Sequence, residues 1–206
     1  MKNVADVFKR ARVIPVLVIE AVDHALPLAE CLMEAGLSVL EITLRTSAAY
    51  ESIKAIKKSI PQCEIGVGSI TLPSQVQELR QLGASFGVSP GCSPGLMEAV
   101  ISSAWPFLPG ASTVSEIMAL QEKGFSHQKL FPATHLGGVG FLHAIAGPLP
   151  QIRFCPTGGI TESTTPEYLS LQNVFAVGCS WVAPKELIDK RDWAEIRKRA
   201  SQAARM

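Results

Sequence analysis

Three ionisable side chains sit inside runs that otherwise read as buried strands, where a charge needs a partner or a purpose. In Val39-Leu40-Glu41-Ile42-Thr43-Leu44-Arg45 the two-residue period of a strand sends Leu40, Ile42 and Leu44 to one face and Glu41, Thr43 and Arg45 to the other. In Lys129-Leu130-Phe131-Pro132 the same alternation sets Lys129 and Phe131 opposite Leu130. With the apolar faces toward helices, Glu41, Arg45 and Lys129 point inward. Burial and a nearby guanidinium favour the neutral amine of Lys129, the form that attacks a ketone. Glu41 then supplies a carboxylate base, and Arg45, at the C-terminal end of its strand, an anion clamp beside it. Plainer readings stay open at this point: Glu41 and Arg45 as a structural ion pair, Lys129 as a solvated residue at a strand start.

Late in the chain, Cys155-Pro156-Thr157-Gly158-Gly159-Ile160-Thr161 follows one strand candidate and Gly178-Cys179-Ser180-Trp181 follows the next. Glycines let backbone N–H groups approach an oxyanion, and Ser or Thr hydroxyls add donors, so the two segments together suggest a phosphate cradle. Each alone is equally explained by steric turn chemistry. Gly66-Val67-Gly68-Ser69, Ser89-Pro90-Gly91 and Pro109-Gly110-Ala111-Ser112-Thr113 end other strands with small residues, leaving room for a polar ligand or simply making turns.

The elements that must position these residues alternate along the whole chain. Strand candidates are Val13–Val18, Val39–Leu44, Glu64–Gly68, Phe86–Ser89, Phe107–Leu108, Lys129–Phe131, Arg153–Cys155 and Val174–Val177. Helical patterns fall at His24–Ala35, Ala48–Ser59, Ser74–Leu82, Gly95–Ser102, Val114–Lys123 and Asp192–Ala204. Gly36, Gly83 and Gly124 are placed as C-terminal caps, and Ala5–Arg10 reads as a short helix covering the bottom of the sheet. Repeated βα units with about eight strands predict an α/β fold, a single-domain (β/α)8 TIM barrel over residues 1–206. An open doubly wound sheet shares the alternation, but Glu20-Ala21-Val22 stands after the first strand where its glycine fingerprint belongs.

Composition removes several classes. With 206 residues, 47% hydrophobic, the chain can bury one sizeable core. Lys and Arg total 19 against 18 Asp and Glu, a net charge of +1, so no global field favours nucleic acid or an anionic membrane. Five dispersed cysteines form no C-x-x-C pair and the four histidines show no ligand spacing, which predicts no metal and suits a reducing cytosol. The run Val13–Ile19 after Lys9, Arg10 and Arg12 imitates a signal peptide, but Glu20 and Asp23 end it early, and no stretch approaches a membrane span. The chain is expected to be soluble and uncleaved.

Taken with their order and spacing, these motifs resemble the 2-keto-3-deoxy-6-phosphogluconate (KDPG) and 4-hydroxy-2-oxoglutarate (KHG) aldolase family nearly end to end. The resemblance is carried by Glu41-Ile-Thr-Leu-Arg45-Thr46, Gly66-Val-Gly-Ser69, Ser89-Pro-Gly91, Pro109-Gly-Ala-Ser-Thr113, Lys129-Leu-Phe-Pro-Ala133, Arg153-Phe-Cys-Pro-Thr-Gly-Gly159 and Gly178-Cys-Ser-Trp181. It implies a class I aldolase needing no metal or cofactor, a cytoplasmic homotrimer whose partner is a small keto acid phosphate. By that resemblance Lys129 forms the imine and Glu41 is the general acid and base. Arg45 with Ser69 holds the carboxylate, Thr157 lies beside the substrate, Phe131 and Pro90 wall the pocket, and Gly158, Gly159, Gly178 and Ser180 hold the phosphate. The sequence departs from the family pattern at Ser69, where Thr is common, at Cys179, where a second Gly is usual, and at Thr134, where Glu usually follows Phe-Pro-Ala. The last adjoins Lys129 and puts substrate preference in question. An imine-free isomerase or synthase on a phosphorylated metabolite, and a non-catalytic ligand-binding barrel, are the competing readings.

Overall fold

The computed structural model describes residues 4–8 and 11–206. In chain order the strands are β1 Val13–Leu17, β2 Val39–Thr43, β3 Glu64–Gly68, β4 Phe86–Val88, β5 Phe107–Leu108, β6 Gly110–Ala111, β7 His127–Leu130, β8 Arg153–Pro156 and β9 Val177–Cys179. The helices are α1 Val4–Phe8, α2 Val22–Glu34, α3 Ala49–Ser59, α4 Pro73–Gln81, α5 Pro94–Ser103, α6 Val114–Glu122, α7 Gly138–Ala146, α8 Thr165–Leu169, α9 Lys185–Asp189 and α10 Trp193–Ala203, with a 3-10 turn at Ala133–Leu136. All strand pairs are parallel. Six strands form one sheet in the order β5-β4-β3-β2-β1-β9, and β6-β7-β8 form a second. Parallel bridges at Phe154–Val174 and Thr157–Gly178 link the second sheet to the first.

Local sequence explains the helix boundaries. Ser93 accepts a hydrogen bond from the Leu96 N–H at the start of α5, and Asp192 does the same for Glu195 at α10. At α6, Thr113 and Glu116 cap reciprocally, satisfying donors that the first helical turn leaves free. Gly36, Gly83 and Gly124 follow α2, α4 and α6 with φ of 97°, 81° and 88°, as the predicted C-terminal caps require.

Strand alternation divides the core. Leu40 and Ile42 of β2 face outward with Leu28, Ile53 and Ile56 of the helices, whereas Val39 joins Ile14, Phe86, Val88, Leu108 and Cys155 in a separate inner cluster. Phe8 of α1 closes that cluster at the N-terminal strand ends, its ring 4.9 Å from that of Phe86. The predicted helix over Ala5–Arg10 is therefore present as Val4–Phe8, while Lys9 and Arg10 lie outside the described residues.

Two strands differ from the sequence reading by more than one residue at an end, and one strand is additional. The last is Val177–Cys179 rather than Val174–Val177, because Val13, Ile14 and Pro15 of β1 pair with Val177, Gly178 and Cys179. Gly178 and Cys179 thus belong to the strand and not to the turn beyond it. Phe107–Leu108 is present as read, and the additional strand β6 follows Pro109, which has no N–H for a ladder; β5 pairs with β4 while β6 pairs with β7. The strand read as Lys129–Phe131 runs His127–Leu130, with Phe131 in the turn that follows. Among the described residues no helix is long and apolar enough to cross a membrane.

Candidate functional site

β2 and β7 project Glu41 and Lys129 to the inner side of their sheets, where the two meet: Lys129 Nζ donates to Glu41 Oε1 at 3.2 Å. Both are buried, at 4% and 5% exposure, which rules out the solvated reading of Lys129. A buried amine and carboxyl in contact, with few other groups near, are placed to exchange a proton with each other or with a bound molecule. Lys129 Nζ also lies 5.5 Å from the centre of the Phe131 ring. Cys155 is opposite Lys129 in the β7–β8 register. Burial pushes its thiol up to about 12, with Lys129 drawing it down and Glu41 raising it, so Cys155 stays a thiol.

Gly68 of β3 makes room for this contact. Gly68 lies against the Glu41 carboxylate, and a Cβ there would overlap Oε1. The glycine is thus the recess in which the carboxylate rests.

Arg45 stands at the C-terminal strand edge, as read from the sequence, but its bond is to Thr43 and not to Glu41. It lies past the end of β2, exposed, and its Nε donates to Thr43 Oγ1 at 3.2 Å, while that hydroxyl donates to the Leu17 carbonyl. The strand ends at Thr43 and the chain turns through Leu44 and Arg45, and the side chain paired with Glu41 is Lys129. The group at the lysine amine is the Glu41 carboxyl and not a guanidinium.

Above the C-terminal strand ends lies a cavity of about 150 Å3, bordered by Arg45, Phe131, Thr157, Gly158, Gly159, Gly178 and Ser180. Seven predicted residues therefore converge on it. Phe131 connects the cavity to the buried pair. Gly158 and Gly159 adopt φ of 103° and 76°, the left-handed conformation that lets a turn present its backbone N–H groups. Gly178 serves a different geometry from the predicted turn: it is in β9, and a Cβ would overlap Thr157 Oγ1. Ser69 and Pro90 follow β3 and β4 on the same strand edge but do not border the cavity. Ser69 has φ of 64°, a strained conformation for a residue with a side chain.

Thr134 is the departure whose position the structure explains. Its N–H donates to the Gly158 carbonyl at 3.1 Å, its Cβ is where a side chain on Gly159 would press, and Oγ1 lies 3.4 Å from the Tyr168 hydroxyl. It braces the Gly158–Gly159 turn. Tyr168 gave no signal in the sequence beyond a buried aromatic.

A second cavity of about 380 Å3 adjoins the first through Val16, Arg45 and Ser180. Another cavity, about 750 Å3, opens near His143, Arg153 and Asn173 at the start of β8, away from these residues. Among the described residues no set of three His, Cys, Asp or Glu side chains is close enough to hold a metal ion.

Comparison with known proteins places this arrangement. The family described as KDPG and KHG aldolase matches residues 4–199. The 2-dehydro-3-deoxy-phosphogluconate aldolase of Pseudoalteromonas atlantica is 46% identical, covering 96% of this chain and 92% of its own. A KDPG aldolase from Legionella pneumophila, solved with pyruvate captured as a covalent carbinolamine, superposes with a TM-score of 0.95 at 41% identity, covering 97% of both chains. A Zymomonas mobilis relative solved with 3-phosphoglycerate gives 0.93 at 38% identity, covering 99% of this chain and 96% of that one.

Proposed function

Because this chain belongs to the KDPG and KHG aldolase family, we propose that it is a class I aldolase cleaving 2-dehydro-3-deoxy-6-phosphogluconate to pyruvate and glyceraldehyde 3-phosphate through an imine on Lys129. The observation that carries the assignment to Lys129 is its buried contact with Glu41 at 3.2 Å. The amine adds to the C2 ketone, giving a carbinolamine, and loss of water gives a protonated imine. As the C3–C4 bond breaks, its electron pair flows into the imine to form an enamine, and the C4 hydroxyl gives up its proton as the aldehyde forms. Glu41 receives that proton, directly or through a water, and returns one to C3 before hydrolysis frees pyruvate and Lys129. No Lewis acid is required for this sequence, since the iminium is the electron sink.

In this reading Arg45 with Ser69 holds the carboxylate, Phe131 and Pro90 wall the reacting carbons, Thr157 lies beside them, and the phosphate rests on Gly158, Gly159, Gly178 and Ser180. The convergence of Arg45, Phe131, Thr157, the three glycines and Ser180 on one cavity supports it. KHG, which shares the 4-hydroxy-2-keto acid head but ends in a second carboxylate and carries no phosphate, is a second substrate, cleaved to pyruvate and glyoxylate. We take the two sheets as parts of one closed (β/α)8 barrel forming a single domain over residues 1–206, with the site at the C-terminal strand edge usual for that fold. The parallel bridges Phe154–Val174 and Thr157–Gly178, where β8 runs beside the segment of β9, support closure. A cytoplasmic homotrimer and a place in the Entner–Doudoroff pathway complete the proposal.

Incubation with pyruvate and borohydride, digestion and mass spectrometry test it. A reduced adduct on Lys129 is expected; a folded protein that forms none would instead be an imine-free enzyme on the same phosphate site. Gly68 offers a second test. Gly68→Ala drives the Glu41 carboxyl from its recess and is expected to lower kcat about a hundredfold with the circular dichroism spectrum retained. A fully active, folded variant would show that the position of Glu41 does not matter.

A further inference from the structure

The cavity that gathers the proposed substrate groups measures about 150 Å3, below the roughly 300–1,000 Å3 usual for a small-molecule site. A phosphorylated six-carbon acid must extend beyond it. The adjoining cavity of about 380 Å3 supplies the room, sharing Val16, Arg45 and Ser180 with the first and bordered further by Pro184, Lys185 and Glu186 at the start of α9. Charge decides what enters it. The substrate brings a carboxylate and a phosphate, and the cations bordering either cavity are Arg45 and Lys185. With Arg45 committed to the carboxylate, the glycine turns and Ser180 supply dipoles to the phosphate but no net charge.

We propose that Lys185 is a substrate-binding residue that selects phosphorylated substrates, its ammonium leaving surface carboxylates to pair with the terminal phosphate. The inference rests on the aldolase reading above. Lys185 Nζ now donates to Asp189 Oδ2 and stands 3.6 Å from Glu20 Oε1. The side chains of all three are well exposed, Lys185 at 44%. Exposed pairs of this kind are weak and readily exchanged, whereas a phosphate dianion is a stronger acceptor. Glu186 borders the same cavity and opposes an anion, so removing Lys185 leaves the phosphate facing net negative charge.

Steady-state kinetics of the full chain with KDPG and with KHG test the assignment. Lys185→Ala is expected to raise KM for KDPG about tenfold, with kcat and both constants for KHG within about twofold, and the KM effect should shrink as salt rises. Lys185→Arg keeps the cation and should stay near wild type. A KM for KDPG unchanged in Lys185→Ala, or raised equally for both substrates, overturns the proposal. Pyruvate trapping on the same samples separates the two readings: wild type that forms no Lys129 adduct removes the aldolase and this inference with it, whereas a normal adduct with unchanged KM removes only the role of Lys185.

Discussion

Lys129→Ala is expected to lower turnover of KDPG by about four to six orders of magnitude and to eliminate the borohydride-trapped pyruvate adduct. The variant removes the buried primary amine on which the proposed imine forms. It also strands Glu41, 4% exposed, without the amine at 3.2 Å. Breaking a buried pair in this way costs about 3–5 kcal/mol, so loss of activity could reflect loss of fold. Lys129→Arg resolves this. A guanidinium keeps a cation beside Glu41 yet does not form an imine with a ketone, so it should be as inactive as Lys129→Ala while melting closer to wild type. An active Lys129→Arg would show that the residue acts through its charge and that the imine mechanism is wrong.

The contrast between Lys129 and Arg45 shows how far sequence alone reached. Alternation along Val39–Arg45 and Lys129–Phe131 was enough to place Glu41 and Lys129 on inward faces, because a strand has only two faces and the apolar residues occupy one. Which inward residues meet depends on strand order and register, which no local pattern carries. Arg45 was accordingly read as a neighbour of Glu41; it stands at the strand edge as expected but bonds to Thr43, and the partner of Glu41 is Lys129. Register also moved the last strand: Val174-Phe175-Ala176-Val177 is uniformly apolar, and pairing with β1 selects Val177–Cys179. That shift changes the reading of Gly178 from a turn residue to the space in which Thr157 sits. The short helices α8 and α9 carry too few turns for a period to register, and α7 begins at Gly138, a poor helix former. Lys185 is for the same reason invisible in sequence; an exposed lysine after a proline has no signature until the cavity beside it is known. The buried pair Glu41 and Lys129 was legible because burial of charge is costly and therefore conspicuous, whereas the residues around it are ordinary ones in particular places.

Glu41→Gln should separate proton transfer from imine formation. The amide has the shape of the carboxyl, so it still fits the recess over Gly68, which a larger change would not. It cannot take a proton at neutral pH, and kcat is expected to fall by about two to four orders of magnitude. The amine of Lys129 remains, so pyruvate should still be trapped on it, though more slowly, and this distinguishes the variant from Lys129→Ala. The sharper readout is exchange of the pyruvate methyl protons in deuterated water. Exchange requires the imine to lose a C3 proton and the enamine to regain one, the two transfers assigned to Glu41, and it needs no aldehyde and no phosphate. Exchange should therefore slow in proportion to kcat for cleavage. If Glu41→Gln exchanges at the wild-type rate while cleavage is slow, the carboxylate serves the C4 hydroxyl alone and another group handles C3. If both rates are unchanged, the contact between Lys129 and Glu41 is structural and the base must be sought among the residues bordering the cavity.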